Sequence, residues 1–137
     1  MSELSKFQFK EYYISKSVIE LKQKSNFEKV KIKFKVSGII NEKDKLFTLN
    51  LSVFITNEEK DLNIQVDTAG IFTFSNVEKK EDISAYFYTN SAAILFPYIR
   101  AYISTLTNLS GNKSVTLPTM NFQKLAGELE ANTTVEM

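Results

Sequence analysis

Between Val30 and Ile55 apolar and polar residues alternate twice in strict order, and this alternation constrains the fold more than any other feature of the chain. Val30, Ile32, Phe34 and Val36 are interleaved with Lys31, Lys33, Lys35 and Ser37. After Asn41-Glu42-Lys43-Asp44-Lys45 the pattern resumes with Phe47, Leu49, Leu51, Val53 and Ile55 set against Thr48, Asn50, Ser52 and Thr56. A period of two puts one set of side chains on each face of a β-strand, so both segments read as half-buried strands. A second charged turn, Asn57-Glu58-Glu59-Lys60-Asp61, leads into Leu62, Ile64 and Val66 and on to Gly70-Ile71-Phe72, which completes a three-stranded meander.

A further strand is expected from Phe7 to Leu21, but its phase changes along its length. Phe7 and Phe9 are apolar at odd positions, Tyr12 and Ile14 at even ones, and Ile19 and Leu21 at odd ones again. A bulge or a bend is the simplest cause. The four strands make an antiparallel sheet with one face in need of cover.

The second half supplies that cover. From Ser91 to Leu109 apolar residues recur at helical spacing (Leu95, Ile99, Tyr102, Leu106, Leu109), and Phe96, Tyr98 and Ile103 add a second stripe. A helix apolar over most of its circumference cannot bury everything against one sheet, which predicts a subunit interface as well as a core contact. Pro97 falls either at a kink or in the first turn. Asn121 offers an N-cap for a second helix, Phe122 to Leu129. Residues 130–137 lack apolar periodicity and read as a fraying tail. The expected fold is α+β: a four-stranded antiparallel sheet with two helices on one face, forming a single domain over residues 1–137.

Residue types absent from the chain narrow its chemistry. It has no Cys, His or Trp. That excludes disulfides, thiol nucleophiles, imidazole-based triads and Cys- or His-ligated zinc, so no catalytic residue, metal or cofactor is expected. Glu58-Glu59 with Asp61, and Glu81-Asp82, fit turns and helix starts better than a catalytic acid pair. Residues 1–45 carry a net charge of +5 and residues 46–137 one of −4. Arg100 is the only arginine. Because bidentate guanine and phosphate recognition relies on arginine, nucleic acid is not an expected partner. Arg100 itself reads as the partner of a carboxylate at an interface. No segment approaches the roughly 20 apolar residues of a membrane span, and the start lacks the apolar region of a secretory signal, so a cytoplasmic protein without direct membrane insertion is expected.

Three segments resemble the SecB family of protein-export chaperones in order and spacing. They are Ala69-Gly70-Ile71-Phe72, Ala93-Ile94-Leu95-Phe96-Pro97-Tyr98-Ile99-Arg100, and Leu117-Pro118-Thr119-Met120-Asn121-Phe122-Gln123-Lys124-Leu125. The likeness runs from about Phe7 to Leu129, and its first sixty residues match by pattern more than by identity. It implies a dimer of dimers that holds unfolded polypeptides in apolar grooves without ATP. It also implies that the groove is lined here by Val30, Ile32, Phe34, Phe122, Leu125 and Leu129, with the first helix, through Leu95, Ile99, Tyr102, Ile103 and Leu106, given mainly to assembly. Export chaperones of this family dock the motor SecA through acids on the exposed sheet face. The corresponding positions here are Ser17 and Gln65, beside the lysines of the neighbouring strand, so SecA is not an expected partner. The family also includes chaperones dedicated to an antitoxin, and solitary members outside the export pathway.

The residues taken alone leave the groove positions divided between core and client contact, and only the resemblance favours clients. Phe47, Leu49, Leu51 and Val53 read as core. Lys31, Lys33 and Lys35 read as a solvated strand face that also discourages edge pairing. A carboxylate-dependent enzyme is the most distant alternative.

Overall fold

Four long strands carry the alternation into the structure, a computed structural model that describes residues 6–22, 29–58, 60–75, 85–111, 115–118 and 121–136. They are β1 (Lys6–Leu21), β2 (Val30–Asn41), β3 (Leu46–Asn57) and β4 (Leu62–Ser75). The β2–β3 ladder sets Val36 opposite Leu51 and Ile40 opposite Phe47, and the β3–β4 ladder sets Phe47 opposite Phe72 and Ile55 opposite Ile64. Opposed residues share a face. The apolar sets of all three strands therefore form one continuous surface, on which Ile40, Phe47, Leu49, Leu51, Val53, Ile55, Ile64 and Val66 are fully buried.

Both turns of the meander are built on an asparagine. The Asn41 side-chain oxygen accepts from the Asp44 amide at 3.0 Å, and that of Asn57 accepts from the Asp61 amide at 3.2 Å. Lys45 and Lys60 take the left-handed backbone conformation, at φ 54° and 57°, that reverses the chain.

β1 pairs with β4, giving the order β1-β4-β3-β2-β5, in which β5 is Thr133–Glu136. Its register shifts twice, between Phe9 and Glu11 and between Ile14 and Lys16. Lys10 and Ser15 are the inserted residues. Each insertion flips the phase by one, so Phe7, Phe9, Tyr12, Ile14, Ile19 and Leu21 all reach the same face although their numbers change parity.

Two helices contact that face. α1 (Ala85–Leu109) begins earlier than its periodicity predicts, so Pro97 lies in its interior. Its Phe87 ring sits among Phe7, Phe47 and Phe72, at centroid distances of 3.5, 5.1 and 5.5 Å. Leu95 packs over Gly70, where an added Cβ would come within 3.2 Å of it. At the far end Thr107 donates its hydroxyl to the Ile103 carbonyl and accepts the Val115 amide, which pins the buried Val115 and Leu117 to the helix. α2 (Phe122–Ala131) is capped by Asn121, whose side chain accepts from the amides of Gln123 and Lys124.

Two expectations are corrected. The sheet has five strands, because Thr133–Glu136 forms β5, parallel to β2 at Gly38–Asn41. The expected tail is thus part of the sheet over these residues. A four-residue strand held by backbone pairing leaves no apolar period to read. Asn132 fixes its start: its side chain donates to the Val36 carbonyl at 3.1 Å, and its own carbonyl accepts the Gly38 amide at 3.3 Å. The second correction concerns Leu95, Ile99 and Ile103, each 0% exposed within a single chain. They are core residues and present nothing to another subunit. Glu59, Glu81-Asp82, Thr119 and Met120 lie outside the described residues.

Candidate functional site

The period-two pattern leaves one aromatic out of place. On the polar face of β3, Thr48, Asn50, Ser52 and Thr56 are interrupted by Phe54, which is paired with Lys33 of β2. Phe54 is half-buried and lies beneath the Lys35 ammonium, whose nitrogen is 5.7 Å from the ring centroid.

An open groove of about 620 Å³ runs from this point between β2 and the N-terminal half of α2. Phe34, Phe54 and Leu125 supply its apolar surface, and Lys33, Lys35, Asn121, Lys124 and Glu128 its polar rim. A second hollow of about 450 Å³ shares Phe34, Lys35 and Glu128 and continues past Ser37, Asn50, Ser52 and Asn132. The trough is therefore apolar and cationic at one end and neutral and polar at the other. The local sequence explains it: strand alternation sends Lys33 and Lys35 to one side of β2 and Phe34 to the other, and the Asn121 cap starts α2 beside them.

Of the six residues expected to line a groove, Phe34 and Leu125 meet in this one, Leu125 with only 4% of its surface exposed and the rest packed in the core. Val30 and Ile32 are half-buried and pack on the core from the same strand. Phe122 turns its ring to Phe96, 5.5 Å away. Leu129 is fully buried, above Gly38. It is part of the core, which corrects its assignment to the groove. Sequence reading missed Phe54, Lys124 and Glu128. The signal for Phe54 was an aromatic at a polar-phase position.

The apolar surface that α1 leaves uncovered differs from the one expected. Of the two other positions assigned to assembly, Tyr102 is half-buried and donates its hydroxyl to Ser17 at 2.8 Å, and Leu106 is half-buried. Ile94 and Tyr98 are each 40% exposed. Tyr98 stacks on Tyr12 at 4.4 Å and on Phe9 at 5.8 Å, which joins the outer side of α1 to the edge strand β1. Arg100 is exposed beside a smaller hollow lined by Phe96, Pro97 and Thr116.

Ser17 and Gln65 do not share a surface. β1 sets Ser17 opposite Val66 on the helix-bearing face, whereas Gln65 is opposite Val18 on the other. The Ser15 bulge moves the phase between them. Among the described residues no group of three or more Asp or Glu is placed to hold a metal, and no helix is long and apolar enough to cross a membrane.

Comparison with known proteins bears on this arrangement. Residues 4–131 match the family described as preprotein translocase subunit SecB. The protein-export protein SecB of Methylococcus capsulatus is 31% identical over 99 residues, which cover 69% of this chain and 63% of that relative. The chain thus spans less than two thirds of that relative's length. A solved SecB-like chaperone of Mycobacterium tuberculosis, in complex with a peptide from the HigA1 antitoxin, superposes with a TM-score of 0.70 at 18% identity, covering 83% of this chain and 90% of its own. A protein of unknown function from Streptococcus agalactiae gives 0.51 at 12% identity, with 85% and 100% covered. At these identities the two structures speak to the fold alone.

Proposed function

The chain belongs to the SecB family, and from that premise we propose that it is an ATP-independent holdase that binds unfolded polypeptide in the groove between β2 and α2. The observation that carries the reading is the open apolar floor of Phe34, Phe54 and Leu125 beside an exposed strand. Magnitudes favour weak, repeated binding. Each buried client Leu or Phe contributes about 1.5–3 kcal/mol, while ordering each client residue costs about 1–2 kcal/mol. One short segment therefore binds weakly, and several grooves on one oligomer engage linked segments of the same client with avidity. The oligomer we propose is a dimer of dimers working in the cytoplasm.

The test is light scattering of a chemically denatured model protein diluted into buffer with stoichiometric chaperone and no nucleotide. Suppressed aggregation is expected. Unchanged scattering from a folded sample overturns the proposal.

A second reading, service to one dedicated partner such as an antitoxin, is favoured by the peptide held in the Mycobacterium tuberculosis structure. A pull-down from the source lysate separates the two. One stoichiometric polypeptide indicates dedication, and a broad set of nascent or unfolded chains indicates a general holdase.

A further inference from the structure

The groove has a charge as well as an apolar floor. Lys33, Lys35 and Lys124 surround Phe34, Phe54 and Leu125, and Glu128 is the one acid on the rim. None of these lysines is ion-paired among the described residues. Lys33 and Lys35 are two residues apart on one side of a strand, and their side chains are therefore about 6.6–6.8 Å apart along it. An extended peptide repeats with the same spacing, so carboxylates at alternate positions can face both.

Among the described residues the strand edge is unpaired at the same place. Val36 and Gly38 turn their outward carbonyl and amide to Asn132, and alternation then turns the amide and carbonyl of Phe34 and Ile32 outward too. β5 reaches only Gly38–Asn41. The outward groups of Ile32 and Phe34 have no partner among the described residues, and they can pair with an extended chain.

Resting on the holdase reading above, we infer that this groove selects extended client segments in which an aromatic or aliphatic residue is flanked by carboxylates at alternate positions. The apolar side chain meets Phe34 and Leu125, and the acids meet Lys33 and Lys35. Opposite charges across a strand pair stabilise it and like charges oppose it, so the same floor rejects a lysine-flanked segment.

Three synthetic peptides with a common Phe/Leu frame and Glu, Gln or Lys at the alternate positions test the inference by fluorescence anisotropy. The Glu peptide is expected to bind about tenfold more tightly than the Gln peptide at low salt, the gain of two or three partly exposed charge contacts, and the difference to shrink as salt is added. In the double variant Lys33→Glu, Lys35→Glu the order of the Glu and Lys peptides reverses, while Lys43→Glu, on the β2–β3 turn, leaves it unchanged. Equal binding of all three peptides overturns the charge selection and leaves the holdase standing if aggregation is still suppressed. No binding together with unchanged aggregation overturns both. A change of oligomeric mass in the double variant assigns the groove to a second copy of the chain and overturns the client assignment.

Discussion

At the scale of single residues, the glycines show how little free space the molecule has, and where. A Cβ on Gly38 would lie 2.7 Å from the Thr133 hydroxyl and 2.8 Å from Phe47 Cζ, with Leu129 at 3.2 Å. Gly38 is the point at which α2, β5 and β3 converge on β2. Gly38→Ala should therefore overpack the junction and destabilise the protein by about 1–3 kcal/mol, read as a lower urea midpoint at unchanged slope. Gly127, on the exposed side of α2, has nothing within 4 Å of the same atom. Gly127→Ala should raise the midpoint, gaining about 0.5–1 kcal/mol of helix propensity. Phe54 gives the functional counterpart. It lies outside the main core, so Phe54→Ala should leave the midpoint within about 1 kcal/mol while weakening an apolar peptide by about five- to tenfold. A titration showing wild-type affinity would remove Phe54 from the site.

At the scale of elements, legibility followed periodicity. β2 and β3 were readable because their alternation runs unbroken, and the bulges of β1 were readable because Phe9, Tyr12, Ile14 and Ile19 record each change of phase. The Asn121 cap was visible for the same reason: one side chain closes the helix start. β5 was not, because its only apolar residue is Val135 and backbone pairing to β2 holds it. Burial could not be divided between core and interface along α1 either. Leu95, Ile99 and Ile103 have the same spacing whether they meet the sheet or another subunit, and only the sheet's position decides. Truncation after Asn132 tests the role assigned to β5. In hydrogen exchange the outward-facing Ile40 amide should lose protection, while the Ile39 amide, directed to β3, keeps it. Loss of both would show that β5 is needed for the whole sheet, and loss of neither that it does not hold the edge.

At the scale of the whole molecule, the side opposite the groove asks for cover. β1 is a 16-residue edge strand, about 50 Å long, with no strand on its outer side among the described residues. Edges of that length pair with another chain unless they are blunted, and the bulges at Lys10 and Ser15 bend this one without shortening it. On its helix-bearing face Tyr12 is 40% exposed, and Tyr98 and Ile94 of α1 extend the same patch, whereas Tyr13, 53% exposed, is on the opposite face. Stacked tyrosines with their rings half in water are good anchors for an interface, because they bury large area at small entropic cost. The uncovered face of α1 and the β1 edge are therefore where the proposed assembly is to be tested, since Leu95, Ile99 and Ile103 are buried within the chain. Sedimentation velocity should give a mass above the 15.7 kDa of one chain, rising with concentration toward a tetramer. The double variant Tyr12→Glu, Tyr98→Glu, which places like charges in that patch, should sediment as a monomer with an unchanged far-UV spectrum. If it retains the wild-type mass, assembly uses another surface. If it dissociates and still suppresses aggregation in proportion to groove number, each groove works alone. A loss of suppression on dissociation, with single-peptide affinity intact, would show that avidity across the oligomer makes the chaperone.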